Sequence, residues 1–290
     1  MYWRASPGRK VFIAFNTVFL IVAAALCLMP VIHVLSQSFS GSGAIQRGEV
    51  LFWPVEFTLS NYQHIMKDQS ILRAFGISAF LATFGTFVNL LLTASLAYPL
   101  SRPEYSGRKV ILFLIMFTMI FSPSLIPAYL LVQKLGLLNS LAALIIPSAI
   151  SAFNFFIMRS FFMNIPSELI DSGRIDGCSE LRILSSIVLP LSKPALATLS
   201  IFYAVSHWNS YLNALMYIEN RKLYPLQIKL RQLLIEDKST FDVSTELSMY
   251  MSPEGVKMAA IMVASLPIIA VYPFVQKYFV KGALLGGIKG

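Results

Sequence analysis

Long, uninterrupted apolar runs set the pattern of this chain, near residues 11–35, 72–100, 110–132, 140–162, 190–217 and 256–279. A helix needs about 20 mostly apolar residues to cross a bilayer, so each run predicts a membrane span. Barrel strands would instead alternate polar and apolar positions over about 10 residues, which these runs do not. The expected fold class is therefore all-α, a polytopic membrane protein with six transmembrane helices. The first run follows Arg4, Arg9 and Lys10 in the manner of a secretory signal, but 11–35 is longer than the roughly 7–15 residues of a signal core. Leu26, before Cys27, is not the small residue that lipoprotein processing requires. The run reads as a retained helix.

Prolines punctuate the spans at Pro30, Pro123, Pro127, Pro147, Pro267 and Pro273. Membrane helices tolerate such breaks where neighbours or a cavity satisfy the freed backbone, so kinked, cavity-lining helices are expected. Between the first two spans, a Gly/Ser-rich start reads as loop, and "LSNYQHIM" predicts a short helix capped by Ser60 or Asn61. In the segment 219–254, Leu226, Ile228 and Leu230 alternate before the helix-like "RQLLI", and this ambiguous period assigns no element. That segment is either a solvated connector or a docking surface for an external partner. The chain divides into an N-terminal tail (1–10), a six-helix membrane domain (11–279) and a C-terminal tail (280–290).

Composition agrees with the pattern: 56% of residues are hydrophobic and 13% charged. Mean hydropathy is +0.68. A net charge of +9 would suggest nucleic acid in a soluble protein. Here most of the excess falls on the tails and on the loops near Arg102, Arg108, Lys109, Arg159, Arg174, Arg182 and Lys193, which places those segments and both termini in the cytoplasm. No basic stripe with interleaved aromatics stands out, so no nucleic-acid partner is expected. Cys27 and Cys178 fall in different compartments under this topology and are expected to be free thiols.

The central portions of the spans lack Asp, Glu, Lys and Arg, which a proton- or ion-coupled carrier would usually place there. His33 and His207 are the titratable exceptions, and each reads more readily as a packing or interface residue. No catalytic constellation, metal-ligand cluster, cofactor motif or GxxxxGK[ST] phosphate loop is present. Uphill transport would therefore draw its energy from another chain. Polar side chains do recur at helical spacings: Thr83, Thr86, Asn89 and Thr93, then Ser148 and Ser151, then Ser206, Asn209 and Asn213 with Trp208 and Tyr211 nearby. The plainer reading of all three sets is helix-to-helix packing. For the last set, a polar path for sugars or other neutral solutes is weighed against it, since aromatic faces and amides suit such ligands.

The segment 171–194, "DSGRIDGCSELRILSSIVLPLSKP", interrupts two apolar runs with acids, glycines and a leucine-proline pair. Pro166 and Ser167 suit the start of a helix carrying Glu168, Asp171 and Asp176. Ser172 and Gly173 permit close approach by another surface, and Gly177 suits a helix end at positive φ. Ser179 then starts a second helix before "LPLSKP" changes direction. A helix-turn-helix on the cytoplasmic face is predicted. It serves as a surface helix pair or as a knob that another protein grips.

The spacing Asp171-Ser172-Gly173, Gly177 and Ile187-Val188-Leu189-Pro190 resembles the signature of ABC-importer permeases, and Gly173-Arg174-Ile175-Asp176-Gly177-Cys178 is similar to the "ARIDGA" of sugar permeases. The likeness extends to "NY" at Asn61, "YPLSR" from Tyr98, "HWNSYLNAL" from His207 and the tail "QKYFVKGALLGGIKG". The chain thus resembles the maltose-permease-like carbohydrate class, in the branch serving complex-polysaccharide-derived oligosaccharides, and the smaller of two permease subunits. That resemblance implies a non-catalytic subunit of the bacterial cell membrane, with a coupling loop at about 165–189. Its partners would be a second homologous permease, a cytoplasmic ABC ATPase dimer, an extracytoplasmic solute-binding protein and an oligosaccharide. The coupling residues it implies are Glu168, Asp171, Ser172, Gly173, Asp176, Gly177, Ile187, Leu189 and Pro190. Asp171 stands where the family has Glu, and Ser172-Gly173 where it has two alanines, so either Asp171 or Glu168 fills the acidic role. A proton-coupled carrier and a non-transporting docking protein remain as alternatives.

Overall fold

The computed structural model describes residues 7–121, 123–235 and 252–286, with the backbone alone for Pro7, Tyr272 and residues 274–286. The expectations for Arg4 and for the last residues of the tail lie outside the described residues. Within them, every regular element is helical. The long ones are α1 (Pro7–Ser38), α2 (Gln69–Ser101), α3 (Arg108–Ile120), α4 (Leu125–Lys134), α5 (Ala152–Met163), α6 (Ser167–Ile175), α7 (Glu180–Leu191), α8 (Lys193–Trp208), α9 (Leu212–Tyr217), α10 (Leu226–Ile235) and α11 (Pro253–Gly286).

Three helices are long and apolar enough by themselves to cross a membrane: α1, α2 and the stretch Pro253–Val271 of α11. A fourth crossing arises if α7 and α8 count as one span bent by 86°. The other expected spans are broken. The run 110–132 divides into α3 and α4 at the stretch holding Pro123, and 140–162 divides into the short helix Ala142–Ile145 and α5 around Pro147. Proline cannot donate the backbone hydrogen bond that a continuous helix needs.

The chain forms two compact units. One comprises residues 1–69 and 230–266. Here α1 is apolar all round and exposes its side chains, Phe12 and Phe15 among them, as a lipid-facing helix does. The following segment builds a small core of Ala44, Ile45 and Val50 against Val55. Neither Ser60 nor Asn61 caps the helix Ser60–Lys67. Asn61 is buried in its first turn and donates from Nδ2 to the Ser38 and Ser40 carbonyls at 3.1 and 3.3 Å, so its amide secures the end of α1 instead.

The second unit comprises residues 70–229 and 267–290. Its larger core joins Ala97, Tyr98 and Leu100 of α2 with Phe155, Met158 and Phe162 of α5, Ile170 of α6, Ile183 and Val188 of α7 and Leu199 of α8. A second cluster packs Leu81, Val132, Leu144, Tyr217 and Ile228. The alternating Leu226, Ile228 and Leu230 belong to a helix, α10, whose first backbone N–H reaches the Ser78 hydroxyl at 2.8 Å. All three side chains are buried, and that burial outweighs the strand-like spacing.

Helix ends in this unit are closed by side chains. Arg159 of α5 donates from Nε to the Leu100 carbonyl of α2 at 2.9 Å, and Arg102 donates from Nη2 to the Phe162 carbonyl of α5 at 2.6 Å. Each guanidinium thus caps the other helix's last turn, where free carbonyls and the negative dipole end favour a cation. Tyr203 of α8 works similarly at a break: its hydroxyl accepts from the Ser151 N–H at 3.1 Å and lies 2.7 Å from the Thr93 hydroxyl. Tyr203→Phe leaves both groups short of a partner. It is expected to destabilise the fold by about 1–3 kcal/mol, read as a lower unfolding midpoint of the purified protein in detergent.

Candidate functional site

The interruption folds as predicted, into a helix, a turn and a second helix. Pro166 occupies the position before α6 and no side chain caps it. The helix ends in a closed turn: the Cys178 N–H reaches the Gly173 carbonyl at 2.9 Å and the Gly177 N–H reaches the Arg174 carbonyl at 3.0 Å. Gly177 sits at φ +75°, the left-handed conformation that this turn requires. A leucine-proline step and Ser192 then precede the 86° bend into α8.

Close packing fixes the two helices against each other. Gly173 is buried, and a Cβ there would meet Ile187 Cδ1 at 3.1 Å and Ile183 Cγ1 at 3.3 Å. Ile187 lies in a π-helical stretch, Leu184–Val188, which re-aims side chains relative to a regular α-turn. Ile170 completes the buried face. The opposite face carries the exposed Glu168, Asp171, Ser172 and Asp176, while Leu189 is half-buried and Pro190 exposed. Two large apolar side chains stand in the open beside the acids, Ile175 at 85% and Leu181 at 77% exposure.

Arg174, in sequence a motif residue and one of the cations expected to set the orientation, is the hub of the site. Its guanidinium contacts Glu180 at 2.8 Å, Asp171 at 3.3 Å and Glu104 of the loop after α2 at 3.5 Å. Glu180 in turn accepts a 2.6 Å hydrogen bond from the Tyr98 hydroxyl of α2. Tyr98 faces Arg102, whose guanidinium carbon lies 5.6 Å from the ring centre. All of these groups except Asp171 border an open cavity of about 430 Å³. The Tyr98 hydroxyl and then Arg174 hold the Glu180 carboxyl below its ordinary value, and Glu180 draws Arg174 up. Glu168 has no charged partner among the described residues, whereas Asp171 is engaged by Arg174.

The five path residues do not share a helical face. The helix stops at Trp208 because Asn209 leaves the helical conformation, so the i, i+3, i+7 spacing of Ser206, Asn209 and Asn213 spans a break before α9. Asn209 bonds back to the Val205 carbonyl at 3.0 Å and accepts from Gln227 at 3.4 Å. Trp208 is buried edge-on against Phe75, at 5.5 Å between ring centres. Tyr211 is half-buried and Asn213 exposed. Of the five, Ser206 borders a second open cavity, of about 490 Å³, together with Asn89, Ser148, Ser151, Tyr203 and His207. Asn89, Ser148 and Ser151, assigned to packing by their spacing, thus line a cavity, whereas Thr83, Thr86 and Thr93 of the same sets do not.

Two outcomes test this geometry. Gly173→Ala is expected to be nearly neutral, since the gain in helix propensity of about 1 kcal/mol offsets a small shift of the Ile187 methyl, whereas Gly173→Leu is too large for the gap. Thermal unfolding of the three proteins separates the cases. Glu180 contributes stability above the ordinary carboxylate range, and this is lost as pH falls through its depressed value. Glu180→Gln should therefore flatten the acid side of the stability profile, measured as unfolding midpoint against pH.

The chain is 43% identical over 274 residues to the polygalacturonan/rhamnogalacturonan transport system permease protein YtcP of Bacillus subtilis (strain 168), covering 94% of this chain and 96% of that one. It is 42% identical over 282 residues to protein LplC of the same organism, covering 97% and 96%. Among solved structures, it superposes with a TM-score of 0.89 and 34% identity on a chain of a bacterial ABC transporter involved in the import of the acidic polysaccharide alginate, covering 95% of this chain and 99% of that one. Residues 90–284 match the binding-protein-dependent transport system inner membrane component family, a region that includes the helix-turn-helix, and the chain belongs to that family.

Proposed function

We propose that this chain is a permease subunit of an ATP-driven importer of oligosaccharides. It forms half of the pathway and hydrolyses no ATP itself. The observation that carries this reading is the two-sided helix-turn-helix: one face is locked to the protein through Gly173 and Arg174, and the other presents Ile175, Leu181 and acids to solvent. Such a face suits a protein partner, here a cytoplasmic ATPase dimer, and residues 165–189 act as the coupling loop. The sugar-acid and polysaccharide names of the relatives support an oligosaccharide substrate. A second homologous permease completes the pathway, and an extracytoplasmic binding protein delivers the sugar, in keeping with the family description.

The chain crosses the membrane six times in this reading, between cytoplasmic tails at 1–10 and 280–290. Helices α3 with α4, and Ala142–Ile145 with α5, make two broken crossings. Trp208, Asn209, Tyr211 and Asn213 lie at the end of the path beyond Ser206. Closure of the ATPase dimer moves the coupling loop, and the shared core of α2, α5, α6 and α7 carries that movement into the spans. Glu168, which has no charged partner among the described residues, takes the acidic contact with the ATPase, and Asp171 stays with Arg174.

Gly177→Asp and Gly173→Leu are expected to abolish sugar uptake while leaving membrane insertion intact. Normal co-purification of the ATPase together with normal uptake in both variants would reject the coupling role. Glu168→Gln should lower sugar-stimulated ATP hydrolysis more than Asp171→Asn does, measured on the assembled complex in proteoliposomes.

A further inference from the structure

Polar side chains near the end of α1 hold the irregular segment that returns to it. His33 donates from Nδ1 to the Leu51 carbonyl at 2.7 Å, and the Ser36 hydroxyl donates to the Phe52 carbonyl at 2.6 Å. Just past the helix, the Ser40 hydroxyl accepts from the Val55 N–H at 3.0 Å. The segment therefore runs beside α1 in the same direction. An α-helix advances about 1.5 Å per residue, so Leu51 and Phe52 are tied about 8 and 3 Å short of Ser38, where α1 ends. Leu51, Phe52 and Trp53 are all exposed there, Leu51 at 64% and Trp53 at 82%. The side chains of α1 at that level, Val31, Ile32 and Leu35, are exposed as well. The charged residues on either side of the segment close on one another, since Arg47 meets both Glu49 and Glu56 at 2.8 Å.

We infer that Leu51, Phe52 and Trp53 form an interfacial anchor, seated in the headgroup boundary of the bilayer beside the end of α1. The apolar surface they present is continuous in depth with the lipid-facing surface of α1, which selects lipid as its occupant. The backbone agrees. A loop in water leaves its carbonyls to solvent, whereas one against lipid needs partners from within the protein. The Leu51 and Phe52 carbonyls, beside the exposed side chains, take theirs from α1, and Pro54 has no N–H to satisfy. Irregular backbone does not enter the hydrocarbon itself, so the anchor stops at the headgroups. Trp suits that level, with a large apolar body and one N–H that reaches water. Such an anchor answers a need of α1, whose 32 residues span about 48 Å against a hydrocarbon core of about 30 Å. Length alone leaves the depth of that helix open. The topology proposed above makes this the extracytoplasmic leaflet, and only the choice of leaflet rests on it.

The test attaches a nitroxide to Trp53→Cys, with the other cysteines replaced by serine, in nanodiscs of phosphatidylcholine and phosphatidylglycerol. The full chain is measured by itself and then within the complete importer. Power saturation compares collisions with oxygen, which concentrates in lipid, and with a nickel chelate, which stays in water. Lipids carrying a nitroxide at the headgroup or in mid-chain calibrate the depth. The oxygen-to-nickel ratio at Trp53→Cys is expected between those two standards, equal in the chain and in the importer, and unchanged when the sugar-loaded binding protein is added. A ratio below that of the headgroup standard would overturn the inference, because the segment would then lie in water. Protection from both reagents in the importer would overturn it too, with the second permease as the cover. So would nickel access that disappears when the binding protein is added, the mark of a docking face for that protein. Leu51→Cys, tied deeper along α1, stands in should Trp53→Cys fail to assemble, with a ratio at least as high expected and the same outcomes against it. A result inside the lipid standards for the chain alone stands even if no ATPase joins the complex, so failure of the importer reading and failure of the anchor are told apart.

Discussion

Each break in an apolar helix frees backbone N–H and C=O groups that lipid cannot satisfy, and several of this protein's polar side chains answer that constraint. At the break between Ala142–Ile145 and α5, Asn89 meets the Ser148 carbonyl and Tyr203 meets the Ser151 N–H. At the turn after α4, Asn139 takes the left-handed conformation, and its side-chain oxygen accepts from the Glu219 and Asn220 N–H groups at 2.9 and 2.8 Å. Without these partners the prolines would be intolerable in place. With them, short helices stack at angles that continuous spans would forbid, and open space is left between them.

The same economy governs the helix-turn-helix and the helix ends beside it. The ends of α2 and α5 are held by each other's arginine, and the Tyr98–Glu180–Arg174 chain ties the first of these to the helix-turn-helix. The ion pairs of Arg174 are half-exposed and contribute at most about 1 kcal/mol each, so they set geometry more than stability. Packing through Gly173 supplies the rigidity. A load applied to α6 therefore meets a stiff joint and not a hinge.

Fold class and the helix-turn-helix were legible in the sequence because each rests on local chemistry: long apolar runs, a positive-φ glycine, and a proline before a helix. Family membership was legible through the spacing of Gly173, Gly177 and Pro190. What escaped was non-local. The path stripe assumed that α8 continues through Asn209, and nothing in "HWNSY" announces that the chain leaves the helix there. Arg174 looked like an ordinary surface cation, since its partners Glu104 and Glu180 come from separate elements. His207 read as packing because neither its place beside Asn89 nor the cavity between them is encoded in spacing along one helix.

One feature of α2 reaches further than its size. Its π-helical stretch, Leu81–Gly85, inserts one residue beyond the α-helical count, and Gly85 leaves room for the His207 ring, where a Cβ would stand 2.7 Å from Nε2. Because each residue advances an α-helix by about 100°, the extra one sets the two halves of α2 out of phase. The first half points Phe75 at Trp208, and the second points Asn89 at the turn holding Ser148, Thr93 at α8 and Tyr98 at α7. Deleting any single residue of 81–85 would bring the halves into phase and turn one of those faces away from its partners, so the length of this segment carries as much information as its side chains.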